Sequence, residues 1–327
     1  MAISALLPDL AKAAEPFRPL SGPRSRVLFV NDLSGDVDGL FALAHQILSP
    51  SAELRGIIGT TPRERDSSAK RSAELAEEML ALMDMPGSIP IYTGAEQQMQ
   101  DMVTPVASDG SDAIIAEAMR TDSELPLYIA VGGGLTEVAS AVLQEPKIAD
   151  RFTLVWIGGD ALPDGGTGET NFNIDPLAAQ FLFNESTVRI WQVPRSAYAQ
   201  CLVSATELQT NVGRYGKIGP WLQDRLFDVT RKYGMRFNTG ETWNLGDNPL
   251  VLLTALTDWV PSNRQPPLRF ERTGSSLFDE VTAPAFNPDG TFTLRDEGRT
   301  IRVYRNIDTR MLFADFFAKM QVNFERA

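Results

Sequence analysis

Alternation is the feature that most restricts this chain. Short apolar runs occur at Arg26–Val30 (RVLFV), Leu54–Gly59 (LRGIIG), Ile89–Tyr92 (IPIY), Pro126–Val131 (PLYIAV), Phe152–Ile157 (FTLVWI) and Val188–Val193 (VRIWQV). Between them, at Leu40–Leu48, Ser67–Leu82, Asp112–Met119, Leu135–Leu143 and Pro176–Phe183, apolar residues recur three and four apart. Near-continuous apolar runs of this length read as strands covered on both faces, and the three-four spacing reads as helices with one buried stripe. Strand and helix repeating in turn require crossover connections, which are right-handed. The pattern therefore predicts an open, mainly parallel α/β sheet with helices on both faces.

After Val193 the pattern changes. Longer helical stretches are predicted at Ala197–Leu208, Trp221–Lys232 and Pro249–Leu256, packed over the edge of the sheet or its functional end. A late β-rich excursion follows in residues 262–310, with runs at Leu268–Arg272, Gly290–Leu294 and Thr300–Tyr304, before a closing helix at Met311–Met320. Residues 1–25 hold four prolines and no sustained pattern and are expected to be a loose leader. Residues 26–327 read as a single domain, since no repeat, low-complexity tract or Gly/Ser linker divides them.

Charge and two scarce residues narrow the chemistry. Lys and Arg total 30 against 42 Asp and Glu, a net charge of −12, so nucleic-acid polymers and anionic membrane surfaces are poor partners. No apolar run approaches the roughly 18 residues of a membrane-spanning helix. The one cysteine, Cys201, excludes an intrachain disulfide and a thiolate metal cluster. A cytoplasmic location is expected, or a periplasmic one if an export signal has been removed ahead of residues 1–25. The one histidine, His45, would have to carry any imidazole chemistry alone. It lies about two turns into the first helix, behind the loop described next, and reads as a helix-face or core residue.

Ligands of open parallel sheets bind beyond the carboxyl ends of the strands. The first such loop, Asn31 to Gly39 (NDLSGDVDG), places Asp32, Asp36 and Asp38 within seven residues. Their repulsion is offset either by a hard cation with oxygen ligands or by solvation in a turn where Asp36 or Asp38 caps the helix. Gly132-Gly133-Gly134 follows the fourth run without matching a phosphate-binding pattern. Asn171 and Asn173 flank Phe172 and present two amides suited to sugar hydroxyls. Late in the chain, Trp243-Asn244-Leu245-Gly246-Asp247-Asn248-Pro249 puts Asp247 at a helix start. Trp243 stands either as a stacking partner for a ligand or as a buried structural tryptophan.

These four loops, in this order, resemble the inosine-uridine preferring nucleoside hydrolases, a family of calcium-dependent N-ribohydrolases. The likeness runs from Arg26 to about Met320 and includes GIIGTT at Gly56–Thr61, the Asn171–Pro176 segment and VYRNIDTRMLFADFF near the end. It implies that Ca²⁺ is held by Asp32, Asp36, Asp38, the carbonyl of Gly132, and Asp247, with Asp32 deprotonating the water that attacks C1′. It also implies that Asn171 and Asn173, with Asp38, Trp243 and Asn244, grip a small-molecule nucleoside or riboside, and that the protein is a homo-oligomer.

The departures from the family pattern are specific. Its adjacent aspartate pair becomes either Asp38 with Gly39, or Asp36 and Asp38 with Val37 inserted. Its Glu before Phe-Asn is Asn171, its Met before Gly-Gly is Ile157, and the His of His-Asp-Pro is Gly246. With that proton donor missing, the alternative to a hydrolase is a metal-dependent sugar- or nucleoside-binding protein on the same scaffold.

Overall fold

A computed structural model describes residues 18–19, 22–62, 67–166, 168–233, 240–256 and 276–325. The first half is a regular alternation: β1 (Ser25–Asn31), α1 (Asp38–Ile47), β2 (Ala52–Gly59), α2 (Ala69–Leu82), β3 (Ile91–Thr93), α3 (Asp109–Ala118), β4 (Leu127–Gly132), α4 (Thr136–Gln144) and β5 (Phe152–Ile157). Then come α5 (Thr170–Ile174), α6 (Pro176–Gln180), which continues as a π-helical turn through Glu185, and β6 (Arg189–Val193). The helix starts follow local chemistry. Ser68 accepts from the N–H of Arg71 to cap α2, and Ser108 forms a capping box with Ser111 at α3.

The main sheet has eight strands in the order β3-β2-β1-β4-β5-β6-β12-β9, where β12 (Thr300–Asn306) lies parallel to β6 and β9 (Leu277–Thr282) closes the edge antiparallel. The late β-rich segment thus completes the main sheet, with only a small β10 (Ala285–Phe286) and β11 (Phe292–Thr293) ribbon outside it. The run at Leu268–Arg272 lies outside the described residues, as do residues 1–17 of the expected leader. Ser25 is already a buried residue of β1, and the N–H of Arg24 bonds the carbonyl of Ser51. Ordered packing therefore begins slightly before residue 26.

Both faces are buried over the central strands β1, β4 and β5, which is why these runs are almost wholly apolar. In β1, Val27 and Phe29 join one core cluster, and Leu28 and Val30 join the other. In β5, Val155 and Ile157 face the first cluster, and Phe152, Leu154 and Trp156 the second. Each such side chain contributes roughly 1.5–3 kcal/mol by leaving water. Polar groups cluster at the start of β1 instead, where buried Arg26 bonds Glu117 at 2.6 Å and Glu117 also engages Arg55 and Arg120. This structural ion network sits at the opposite end of the strand from Asn31.

The helix predicted over Ala197–Leu208 is broken in three: α7 (Arg195–Tyr198), β7 (Leu202–Ser204) and α8 (Ala205–Asn211). Its apolar spacing was misleading because Leu202 to Ser204 pair antiparallel with β8 (Thr242–Asn244), and Ser204 with Glu207 forms a capping box that starts α8 afresh. α9 (Ile218–Tyr233), α10 (Pro249–Val251, widening to a π-helical turn through Leu256) and α11 (Thr309–Phe324) complete the chain. No helix among the described residues is long and apolar enough to cross a membrane.

Candidate functional site

The strand order reverses direction between β1 and β4, and the crevice beyond their carboxyl ends is where a sheet of this kind leaves room for a ligand. A cavity of about 400 Å³ lies there. Its floor is lined by Asp32, Asp36, Asp38 and Asp247, and its walls by Ile157, Glu169, Asn171, Arg195, Tyr198, Val229, Trp243 and Asn244. Loops after β1, β5 and β6 and the β7–β8 ribbon thus converge on one space.

Of the residues singled out in the sequence, Asp32, Asp36, Asp38, Asp247, Asn171, Trp243 and Asn244 line this cavity. Val37 is buried in the core while Asp36 and Asp38 on either side of it line the cavity. Asn173 is exposed on α5 and is not part of the lining. Asn171 lies in the lining instead, its amide donating to the carbonyl of Ile157 at 2.8 Å. The Gly132 carbonyl accepts a long 3.3 Å bond from the N–H of Asp32.

Asn31, not selected from the sequence, ties the floor together. Fully buried at the end of β1, it donates from Nδ2 to Oδ2 of Asp247 at 2.8 Å across 216 residues of chain. Two glycines make room for it. A Cβ on Gly39 would stand 2.0 Å from Asn31 Oδ1, and a Cβ on Gly132 would stand 2.3 Å from Asn31 Nδ2 and 2.4 Å from Asp247 Oδ2. Gly39 therefore leaves space for the Asn31 side chain that any larger residue would fill.

The floor is electrostatically strained. Burial pushes the Asp38 carboxyl well above its ordinary value, and Asp247, Asp36 and Asp32 push it further. Burial likewise raises Asp247, against the bond from Asn31. Oδ1 of Asn31 is buried with no hydrogen-bond partner. An all-oxygen set with excess negative charge and an orphaned amide oxygen has the chemistry of a hard-cation site. Among the described residues, however, no three acidic, histidine or cysteine side chains stand close enough to form a metal cluster.

Glu169 and Tyr198 were also missed. Glu169 caps α5 and is 1% exposed. Its oxygens accept from the N–H groups of Gly159 (2.7 Å), Phe172 (2.7 Å) and Asn171 (3.2 Å), and from the Tyr198 hydroxyl at 2.9 Å. Burial still raises its pKa, and burial beside Glu169 raises that of Tyr198. The available signal was an acidic residue in a glycine-rich loop immediately ahead of the TNFN segment, where a carboxylate caps a helix start. Arg195 is fixed outside the carboxylate floor by a fork onto Asp160, with Nε at 2.8 Å from Oδ1.

His45 has no place here. It is wholly buried in the last turn of α1, bonded through Nε2 to Asp315 of α11 at 2.8 Å and packed on Phe316, and burial lowers its pKa to about 4. Cys201 is buried too, its thiol pushed up by burial and by Asp38 and Asp247. At the position where the resemblance would put a histidine, a Cβ on Gly246 would meet Asn244 Oδ1 at 2.9 Å, Tyr198 Cδ2 at 3.1 Å and Asp38 Oδ2 at 3.2 Å. Neighbouring groups have closed that space.

Comparison with known proteins agrees with this geometry. The family model described as "Inosine-uridine preferring nucleoside hydrolase" matches residues 28–314. A protein of that description from Leishmania major is 27% identical over 185 residues, 50% of this chain and 58% of the relative. Another from Crithidia fasciculata is 44% identical over 85 residues, 25% of this chain and 24% of the relative. In sequence, then, the chain spans less than two thirds of the length of the curated relatives it matches. Among solved structures, a purine-preferring ribonucleoside hydrolase from Gardnerella vaginalis superposes with a TM-score of 0.71 at 17% identity, covering 91% of this chain and 98% of that one.

Proposed function

Because this chain belongs to the inosine-uridine preferring nucleoside hydrolase family, we propose that it hydrolyses the N-glycosidic bond of nucleosides or related ribosides in the cavity between β1 and β4. The observation that carries this reading is the convergence of Asp32, Asp36, Asp38 and Asp247, from opposite ends of the chain, on one cavity at the switch point of the sheet.

Asp32, Asp36, Asp38 and Asp247, with the Gly132 carbonyl, would hold a Ca²⁺ ion only after drawing together, since among the described residues no three of these carboxylates stand at ligand spacing, and the fit rests on their oxygen-only chemistry and the unpartnered Asn31 Oδ1 beside them. When bound, that ion supplies charge neutralisation and an anchor for vicinal ribose hydroxyls. The protein's own groups do the rest. Asp32 takes a proton from the attacking water as C1′ acquires oxocarbenium character. Asn171 and Asn244 bind sugar hydroxyls, with Glu169 fixing the α5 start that carries Asn171. Trp243, Val229 and Ile157 enclose the leaving base and exclude water.

Ribose release from a panel of nucleosides, measured by reducing sugar with Ca²⁺ and with a chelator, tests this. Calcium-dependent release supports it. The closed space at Gly246 favours one alternative, a binding protein that has lost turnover. Tight calcium-dependent riboside binding without any ribose release would establish that alternative. A homo-oligomer is the proposed assembly, to be read from light scattering of the purified protein.

A further inference from the structure

Glu137, which the reaction above does not use, stands where four parts of the chain meet. It is fully buried in the first turn of α4, just past the Gly132–Gly134 loop. Its Oε1 accepts from the Thr60 hydroxyl at 2.8 Å and from the N–H of Ala95 at 2.9 Å, while among the described residues Oε2 has no partner. Two glycines leave room for the carboxyl. A Cβ on Gly94, just beyond β3, would collide with Oε1, and a Cβ on Gly110 in the first turn of α3 would stand 3.3 Å from Cγ. The charged group that acts on it, Asp175 at the start of α6, is also an acid. Packing alone would be better served by an apolar side chain.

What the carboxyl holds is Thr60, the first residue after β2. Thr60 is buried, and its backbone braces the first acidic loop on both sides of Asp32. Its N–H donates to the carbonyl of Asn31 at 2.9 Å. Its carbonyl accepts from the Ser72 hydroxyl at 2.9 Å, and that hydroxyl oxygen accepts in turn from the N–H of Ser34 at 3.1 Å. The Thr60 methyl and Asp32 Cγ flank Gly133, where a Cβ would meet them at 3.2 and 3.4 Å. Of the staggered settings open to a threonine, the bond to Glu137 selects the one that turns this methyl towards the acidic loop.

We propose that Glu137 is a positioning residue for the metal-binding loop: by fixing the Thr60 side chain it sets the place from which Asp32 draws towards the other carboxylates around a divalent cation. This rests on the calcium-dependent hydrolase reading above. Groups that orient a metal's ligands typically change its affinity by about 10- to 100-fold when removed.

The test compares the full-length parent with Glu137→Leu, Thr60→Val, the double variant and Glu137→Gln. At about pH 6 the parent's Glu137, raised by burial to about 7, is mostly the neutral acid that glutamine mimics. Ca²⁺ affinity is read by calorimetry on the folded proteins, and turnover by ribose release from p-nitrophenyl riboside. Glu137→Leu and Thr60→Val remove opposite ends of one bond, so each should weaken Ca²⁺ binding by about tenfold or more. The double variant should bind little worse than either alone. Glu137→Gln keeps the acceptor and should stay within about threefold of the parent.

Unchanged Ca²⁺ affinity in Glu137→Leu overturns the proposal, as does equal weakening by leucine and glutamine. Should Glu137→Leu fail to fold, Thr60→Val decides, and unchanged affinity there overturns it. Ca²⁺ binding by the parent without ribose release removes the hydrolase reading and leaves the proposal to be decided by the affinities. A parent that binds no Ca²⁺ removes both.

Discussion

Gly39→Ala isolates the role of Asn31. The added Cβ would stand 2.0 Å from Asn31 Oδ1 and 2.8 Å from its Cγ, a contact that forces the buried amide to move. Overpacking a rigid site of this kind costs about 1–3 kcal/mol. Displacing Asn31 also breaks its 2.8 Å bond to Asp247 and leaves a buried carboxylate oxygen without its donor, roughly another 1–3 kcal/mol. Against this, alanine in the first turn of α1 gains up to about 1 kcal/mol of helix propensity. The net expectation is a loss of about 1–6 kcal/mol, centred near 3.

The same change in an Asn31→Ala background meets no amide, so only the helical gain remains and the second substitution becomes neutral or stabilising. Urea unfolding of the four proteins, with a chelator present, gives the cycle. A coupling energy of about 2 kcal/mol or more is expected between the two positions. Additive effects within about 0.5 kcal/mol would refute the reasoning, as would a Gly39→Ala protein as stable as the parent.

Asp247→Ala should remove most of the rise in melting temperature produced by Ca²⁺, since an ion that binds the folded chain stabilises it by mass action; an undiminished calcium shift in differential scanning fluorimetry counts against Asp247 as a ligand. Glu137, buried in the first turn of α4 with Oε2 unpartnered, is raised by burial to about 7, so stability is full below the ordinary glutamate range and falls as pH rises towards 7. Glu137→Gln should therefore match the parent near pH 4.5 and exceed it by about 1–3 kcal/mol at pH 8 in denaturant titrations. His45→Gln should lower stability and leave kcat/KM within about threefold, whereas a hundredfold loss would mark an imidazole acid.

The fold was legible because its central strands, β1, β4 and β5, are buried on both sides. Val27 to Val30 alternate between two cores, so every position is apolar and the run stands out. The carboxylates of the first loop were legible for the opposite reason, being too close together to be left uncompensated in an apolar setting. What was hidden depends on partners distant in sequence. Nothing near Asn31 announces Asp247, and nothing near Gly39 says that its missing side chain makes room for that pair. The β7–β8 ribbon, which brings Trp243 and Asn244 to the cavity, looked helical because Leu202 and Val203 fit the spacing of their neighbours. Asn171 and Asn173 were indistinguishable as loop amides until the α5 turn sent one to the cavity and the other to solvent.

The place of β12 between β6 and β9 has a bearing on how this protein is made. The ribosome releases β6 about a hundred residues before its neighbour, a gap of roughly 5–20 s at ordinary synthesis rates. During that interval the growing sheet ends in β6, whose residues Ile190 to Val193 are destined for full burial and whose backbone donors and acceptors face outwards. An open, apolar edge is the kind of surface that pairs with other chains. Nascent molecules should therefore be most vulnerable to aggregation, and most in need of a chaperone, in the window between the emergence of Val193 and that of Thr300. Truncations ending inside that window should collect in inclusion bodies even though they contain the whole first acidic loop.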